Sequence, residues 1–286
     1  MKIKKAVVMI LTLAMMLSML GLTAFAADDS AKINVTIVDK TGAVVLAQEP
    51  ITVTDTDKDG KLTIDDALYL AHEGKFTGGA AKGYATKTGE YGLSITKLWG
   101  TENGSGFGYY LNNKSAMSLT DTVKTGDFLT AFLYTDTTNF SDTYTYFDVN
   151  TVKATAGEEI KLTLSAAAFD SNFKPIVKPV AGAVITVNGT ATTYKTDAEG
   201  KVTIKIDKTG TCVISATSSA MRIIAPVCTA TVSAADTASA SATSEVSGVT
   251  LPNTGSCINP VIYAVVAFAM IAGIVVAAIP KKVNEK

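Results

Sequence analysis

The chain has 286 residues, with 25 basic and 26 acidic side chains, a formal net charge of −1 and 47% hydrophobic residues. A charge this close to zero, without a basic run in the interior, argues against nucleic acid as a partner. One histidine and three cysteines leave little material for a transition-metal centre or a histidine-based catalytic site. The composition therefore favours a protein that is not an enzyme.

The first 26 residues have the pattern of an export signal. Lysines at positions 2, 4 and 5 precede an apolar run that extends to Leu22, and the stretch ends in Ala24-Phe25-Ala26. A basic start, an apolar middle and a small-x-small end are typical of a cleaved secretory signal peptide. We therefore predict that residues 1–26 are removed and that an extracellular mature chain begins at Ala27. The alternative is an uncleaved N-terminal membrane anchor.

From Lys32 to Val232 the chain has the pattern of β-strands, because apolar residues alternate with polar ones. The segments that show this alternation are 33–37, 184–187, 202–206 and 213–215. One segment, 65–73, instead has helical spacing and is followed by Gly74, which predicts a short helix with His72 on its surface. The predicted fold class is mainly β.

Residues 55–66 match a twelve-residue calcium-binding loop. Asp55, Asp57 and Asp59 stand at positions 1, 3 and 5, where side-chain oxygens bind the ion, and Gly60 stands at the sharp turn of position 6. Lys61 would bind through its carbonyl oxygen at position 7, and Asp66 through its carboxylate at position 12. Hard oxygen donors at this density suit Ca²⁺ rather than a softer metal.

Two features distinguish this loop from the usual one. Position 12 is Asp66 rather than glutamate, as in the dockerin-type variant, and residues 51–54 have a strand pattern where an entering helix would stand. We therefore predict a single strand–loop–helix site in which Ca²⁺ has a structural role, since a second copy is missing from the sequence. The alternative is a solvated acidic turn that binds no ion.

Three further motifs occupy the rest of the N-terminal half: Tyr91–Gly100, Gly106–Lys114 and Lys124–Tyr134. Their order resembles the small β-grasp domain at the C-terminus of transcobalamins, which many bacterial surface modules share. The resemblance implies a β-grasp-like module over residues 27–150, with one short helix and the calcium loop as an insertion. In transcobalamins this domain caps a corrinoid beside a large helical barrel, and this sequence contains no such barrel.

Aromatic residues of the same module are candidates for a ligand face. Trp99, Tyr109 and Tyr110 could together line a surface for a small molecule or a glycan. Aromatic residues in strands also serve as ordinary packing groups, which is the alternative for these three.

Residues 151–232 resemble bacterial Ig-like domains. The resemblance rests on the motifs Pro179–Gly189, Thr196–Ile204 and Lys208–Ala216. Gly200 and Gly210 separate strands about ten residues apart, which is the spacing of a β-sandwich. The resemblance implies an Ig-like β-sandwich that acts as a spacer, and we place the boundary between the modules near residues 150 and 151.

Cys212 and Cys228 fall on two predicted neighbouring strands of this second module. An exported chain permits a disulfide between them. Two buried thiols that act as small apolar side chains are an equal alternative.

The C-terminal part of the chain has the pattern of an attachment signal. Residues 233–250 are rich in Ser, Ala and Thr and lack large apolar side chains, so we predict a flexible stalk. The motif of Leu251, Pro252, Asn253, Thr254 and Gly255 follows. Residues 261–279 then carry no charge and are long enough to cross a bilayer as a helix, and two lysines, 281 and 282, stand close behind them.

This order within residues 251–286 resembles the sortase sorting signal of Gram-positive surface proteins. The resemblance implies that the membrane first retains the chain and that a sortase then cleaves between Thr254 and Gly255. Thr254 would be joined to peptidoglycan, so that the protein becomes covalently attached to the cell wall. The alternative is a single-span membrane protein in which the motif is incidental.

Three functions remain after these steps. The first is a wall-anchored, non-enzymatic binding, adhesion or display protein with an unknown extracellular ligand. The second is surface capture of a small molecule such as a corrinoid, a haem or a glycan. The third is a surface enzyme, which the absence of recognisable catalytic constellations disfavours.

Overall fold

The computed structural model describes residues 30–235, which contain seventeen strands and two helices. This part of the chain is mainly β, as the sequence predicted, and belongs to one compact unit. None of its helices combines the length and the apolar character needed to cross a membrane. The predicted signal peptide 1–26, nearly all of the stalk, the sorting motif and the predicted transmembrane segment 261–279 lie outside the described residues.

The first module contains seven strands and both helices. They are β1 (Ala31–Val38), β2 (Val44–Val53), α1 (Ile64–Lys75), α2 (Gly79–Gly83), β3 (Ala85–Gly89), β4 (Gly92–Lys97), β5 (Phe107–Leu111), β6 (Lys114–Ser115) and β7 (Phe128–Leu133). Five strands form a sheet in the order β2-β1-β7-β5-β6, in which β1 is parallel to β7 and the other neighbours are antiparallel. Strands β3 and β4 form a separate hairpin.

Helix α1 begins with a capping box. The Thr63 side chain accepts a hydrogen bond from the Asp66 N–H, and the Asp66 carboxylate accepts one from the Thr63 N–H. The helix buries Ile64 and Leu68 against the sheet. It continues through Gly74 to Lys75, so the prediction that it ends at Gly74 was wrong. A glycine inside a helix costs about 1 kcal/mol, and the burial of the apolar face offsets that cost.

His72 on this helix is completely buried, which corrects the expectation of a surface residue. Its Nδ1 lies 2.6 Å from the carbonyl oxygen of Leu68, and its Nε2 accepts the N–H of Trp99 at 3.0 Å. Both contacts are hydrogen bonds only if the ring is neutral with its proton on Nδ1. The ring also stacks on Tyr84, with the ring centroids 5.1 Å apart. His72 is thus a core residue that the fold keeps neutral.

The second module contains the other ten strands. They are β8 (Thr143–Phe147), β9 (Thr151–Thr155), β10 (Glu159–Phe169), β11 (Pro175–Pro179), β12 (Val184–Val187), β13 (Thr190–Lys195), β14 (Lys201–Lys205), β15 (Gly210–Thr217), β16 (Ile223–Ile224) and β17 (Cys228–Ser233). One sheet has the order β11-β10-β8-β16 with β14 also on β10, and the other has the order β13-β12-β15-β17-β9. Buried side chains from both sheets, such as Leu162 and Ile214, share one core. The module is therefore a two-sheet sandwich.

Strand β8 lies on the N-terminal side of the expected boundary near residues 150 and 151. It pairs with β10 of the sandwich, with Phe147 opposite Leu164, and Phe147 belongs to the sandwich core. The hydrogen-bonded part of the second module therefore begins at Thr143. An alternating strand fits either module equally well in the sequence, and only its pairing partner decides to which module it belongs.

The two modules share a buried cluster. Its members are Val38, Phe132, Tyr144, Ile224 and Ala225. Tyr144 of β8 stacks on Tyr110 of β5 with ring centroids 3.7 Å apart, and its hydroxyl donates to Asn113 Oδ1 at 2.9 Å. At another point of contact, Gln48 of β2 donates to the Val227 carbonyl oxygen at 3.0 Å. The first module thus packs directly on the sandwich.

The buried histidine should make stability depend on pH. Burial lowers the pKa of His72 below its ordinary value of 6.5. Between the folded and unfolded pKa values the unfolded chain binds a proton that the folded chain does not, so the free energy of unfolding should fall as the pH decreases below about 6.5. Urea unfolding at pH values from 8 to 5 measures this effect. His72 is the single histidine, so a His72→Gln variant should lose this dependence, and a flat wild-type profile would contradict the prediction.

A second prediction compares two glycines of the sandwich. Gly200 and Gly189 have similar φ values, +75° and +77°. A Cβ atom added to Gly200 would lie 2.4 Å from the Leu164 carbonyl oxygen, whereas a Cβ atom added to Gly189 would have no atom within 4 Å. Alanine at either position must adopt the left-handed backbone conformation, which costs about 1–2 kcal/mol. Gly200→Ala should lower the free energy of unfolding by about 2 kcal/mol more than Gly189→Ala, because β10 must also shift. Equal losses in urea unfolding would refute this explanation.

Candidate metal centre

The acidic loop connects β2 to α1. Strand β2 ends at Val53 and α1 begins at Ile64, so the loop has the strand–loop–helix arrangement that the sequence predicted. Leu62 packs against the core of the first module from the end of the loop. The acidic residues before it are mainly exposed to solvent. An ion could therefore enter the loop directly from solution.

The structure brings three of the predicted ligands together. Asp55, Asp57 and Asp59 each place one carboxylate oxygen within 4.8 Å of the others. The loop curls because its own N–H groups bond to these carboxylates: Gly60 donates to Asp55 at 2.8 Å, and Lys61 donates to Asp59 at 2.8 Å. Gly60 has a φ of +82° with no atom near a Cβ position, so the backbone turn rather than crowding requires glycine there.

The electrostatics of the loop are those of crowded carboxylates. The pKa of Asp55 lies below its ordinary value, mainly because its carboxylate accepts a hydrogen bond from the Gly60 N–H. The Asp59 N–H lowers the pKa of Asp57 in the same way, but desolvation and the charges of Asp59 and Asp66 outweigh it and leave that pKa raised. A divalent cation among these oxygens would relieve the repulsion. The donor set therefore fits a hard cation such as Ca²⁺.

Asp66 does not join the group of three. One oxygen accepts hydrogen bonds from the N–H and the hydroxyl of Thr56, and the other accepts them from the N–H and the hydroxyl of Thr63. The residue is almost completely buried. In this arrangement Asp66 joins the beginning of the loop to the N-terminus of α1. Lys61 follows Gly60 on the exposed side of the loop.

A distant segment holds the end of the loop in place. The Val123 N–H donates to the Leu62 carbonyl oxygen at 2.9 Å, and the Ile64 N–H donates to the Asp121 carbonyl oxygen at 3.1 Å. Thr63 and Thr122 form an isolated antiparallel bridge. Sequence reasoning missed this contact because some sixty residues separate the partners and nothing in residues 119–123 marks them as a support.

The three aromatic candidates do not form one face. Tyr109 and Tyr110 are consecutive in β5 and so point to opposite sides of the sheet. Tyr109 packs against the core of the first module, whereas Tyr110 stacks on Tyr144 at the contact between the modules. Trp99 packs against His72 and Phe76. Packing explains the positions of all three residues, and Tyr110 also lines an open groove.

Both cysteines of the sandwich are buried and free. In the register of β15 and β17, Cys212 lies opposite Ala230 and Cys228 lies opposite Ile214. The two cysteines are thus diagonal neighbours on one face, a separation greater than the Cβ–Cβ distance of about 3.5–4.5 Å in a disulfide. Burial raises the pKa of the Cys228 thiol to about 12. The structure therefore has the second of the two alternatives, in which both thiols act as apolar core groups.

The sorting residues Leu251, Pro252, Thr254 and Gly255 lie outside the described part of the chain.

Comparison with known proteins adds only distant structural likenesses. The chain matches no family model and no curated protein sequence. Among solved structures, the N-terminal four Ig domains of Dscam1 isoform 4.44 are 12% identical with a TM-score of 0.22, over 52% of this chain and 32% of that one. The D0–D1 domain of intimin is 16% identical with a TM-score of 0.23, over 71% of this chain and 95% of that one.

The chain thus spans about a third of the Dscam1 structure that it matches. At these TM-scores neither likeness supports a conclusion about this chain.

The loop geometry predicts that calcium stabilises the first module. A ligand that binds only the folded state adds about 2.7 kcal/mol at a concentration of one hundred times its Kd. Thermal melting of residues 27–254 in calcium and then in chelator should show a higher Tm with calcium. The variant with Asp55→Asn and Asp57→Asn should lose this shift. Asp197 provides the control, because its carboxylate bonds to the Glu199 and Lys201 N–H groups in a turn of the sandwich. The Asp197→Asn variant should retain the calcium-dependent shift in Tm. A wild-type Tm that does not change with calcium would contradict the prediction.

Proposed function

We propose that the protein is a non-enzymatic display or adhesion protein, covalently attached to a Gram-positive cell wall, whose N-terminal module is stabilised by calcium. The observation that carries the proposal is the order of segments in one chain. An export signal over residues 1–26 precedes the folded unit, and the stalk, the Leu-Pro-Asn-Thr-Gly motif, the apolar span and two lysines follow it. Each segment has a physical role in export, retention or transfer to the wall.

The strand topology supports the two modular assignments within this proposal. A mixed sheet in the order β2-β1-β7-β5-β6, with β1 parallel to β7 and α1 packed on it, is the arrangement of a β-grasp module. Two packed sheets of short, mostly antiparallel strands are the arrangement of an Ig-like sandwich. Direct packing of one on the other makes a stiff unit suited to presenting a surface away from the wall.

The transfer to the wall would proceed by two acyl exchanges. A sortase thiolate attacks the Thr254 carbonyl carbon, the Thr254–Gly255 amide bond breaks, and the Gly255 amine leaves with a proton. An amine of a peptidoglycan precursor then attacks the thioester, forms an amide with Thr254 and releases the thiol. The 21 residues from 234 to 254 would then hold the folded unit at most roughly 75 Å from the attachment point, at about 3.3–3.6 Å per extended residue.

Capture of haem through His72 is disfavoured by the contacts of that residue. Both ring nitrogens are engaged by backbone groups, and the side chain is buried beneath Tyr84 and Trp99. A ligand would need a different site.

The anchoring proposal is tested by changing two adjacent residues in turn. Thr254→Ala removes the acylated residue, so the protein should move from the wall fraction to the membrane or the medium. Asn253→Ala changes the variable position of the motif and should leave attachment unaltered. The measurement is the amount of protein that remains on purified peptidoglycan after boiling in detergent. Unchanged attachment of Thr254→Ala would overturn the proposal.

A further inference from the structure

One face of the sandwich is only partly covered by the first module. In the sheet β11-β10-β8-β16, Leu164 and Ala166 point into the sandwich core, so Ala167 and Phe169 point outward by alternation. Tyr144 and Tyr146 share this outer face. The first module covers Tyr144 through Tyr110 and leaves the end of the sheet near β11 open.

The open end of this face forms a groove with the β5–β6 hairpin of the first module. The groove has a volume of about 750 Å³, within the range of about 300–1,000 Å³ typical of small-molecule sites. Its walls include Met117, Val177 and Phe169, which are 90%, 62% and 56% exposed. Tyr110, Tyr146 and Ala167 connect these walls to the buried cluster between the modules. Apolar surface concentrated in this way, and continuous with an existing interface, marks a binding site rather than scattered exposure.

The charge of the groove selects the chemistry of its occupant. Lys114 is the one charged residue among those that line it, and no carboxylate lines it. Within residues 30–235, Lys114 has no carboxylate within ion-pair distance. An ammonium group beside apolar walls complements a ligand with one negative charge and an apolar body.

The edge of β11 argues against a peptide that adds a strand to the sheet. In the antiparallel pair of β10 and β11, the Asp170 N–H bonds to the Lys174 carbonyl oxygen. Every second residue of β11 makes such bonds to β10, so the Ile176 N–H points toward β10 and the Val177 N–H points away from the sheet. Pro175 and Pro179 on either side have no N–H to offer. A single donor cannot support a ladder, which leaves side-chain contacts and Lys114 to hold a ligand.

We propose that this groove binds a single-chain amphiphile with a carboxylate head, in the manner of a free fatty acid. The carboxylate pairs with Lys114, and the alkyl chain lies along Val177, Phe169 and Met117. This inference goes beyond wall attachment and calcium binding and depends on neither.

The test is a calorimetric titration of residues 27–254, which contain all of the described residues 30–235, with decanoate below its micelle concentration and without added calcium. Saturable binding of one decanoate per chain is expected, with decyltrimethylammonium at least tenfold weaker because it meets Lys114 with a like charge. Longer carboxylates should bind up to about fourfold more tightly for each added methylene that is buried. Non-saturable uptake, equal affinity for both head groups, or binding to lipid vesicles but not to decanoate would overturn the proposal.

Two variants and a matched control locate the site. Val177→Glu places a charge beside the alkyl chain and should weaken decanoate binding at least tenfold. Val149→Glu changes another exposed valine, outside the groove, and should bind as the wild type does. Lys114→Gln should weaken decanoate about tenfold and leave the binding of uncharged 1-decanol unchanged. Wild-type affinity of either groove variant for decanoate would overturn the assignment.

Discussion

The packing of strand β8 on both of its faces is the constraint on which the rest of the structure depends. One face places Phe147 in the sandwich core, where its burial contributes to the stability of the second module. The other face places Tyr144 against Tyr110 of the first module. A single five-residue strand thereby joins two cores. Residues 30–235 therefore belong to one compact unit rather than to two separate domains.

This junction also determines where the surface of the protein is apolar. The outer face of the sandwich sheet must be apolar where the first module covers it, and the apolar side chains continue past the covered area to Phe169 and Val177. The prolines of β11 remove backbone donors from the adjacent edge and so protect it from pairing with another chain. The remaining groove keeps its apolar walls and one lysine.

The geometry of the acidic loop depends on hydrogen bonds within the loop and on hydrogen bonds from a distant segment. The three aspartates converge because N–H groups within the same loop bond to them, so seven consecutive residues, 55–61, determine that geometry. The helix that follows is positioned by Asp66 through the capping box and by the carbonyl oxygens of Leu119 and Asp121. This backbone support from residues 119–123 fixes the orientation of the loop.

The sequence by itself determined the features that depend on neighbouring residues. Alternation predicted β1 and β12, and helical spacing predicted α1 within two residues at each end. The aspartate spacing predicted the convergence of Asp55, Asp57 and Asp59 but wrongly added Asp66 to them. Only the tertiary structure decided which sheet β8 joins, whether His72 is buried, where Asp66 directs its oxygens and that Cys212 and Cys228 are diagonal neighbours. The physical reason is range: caps, turns and periodicity act over a few residues, whereas strand pairing and burial depend on partners tens of residues away, which no local pattern specifies.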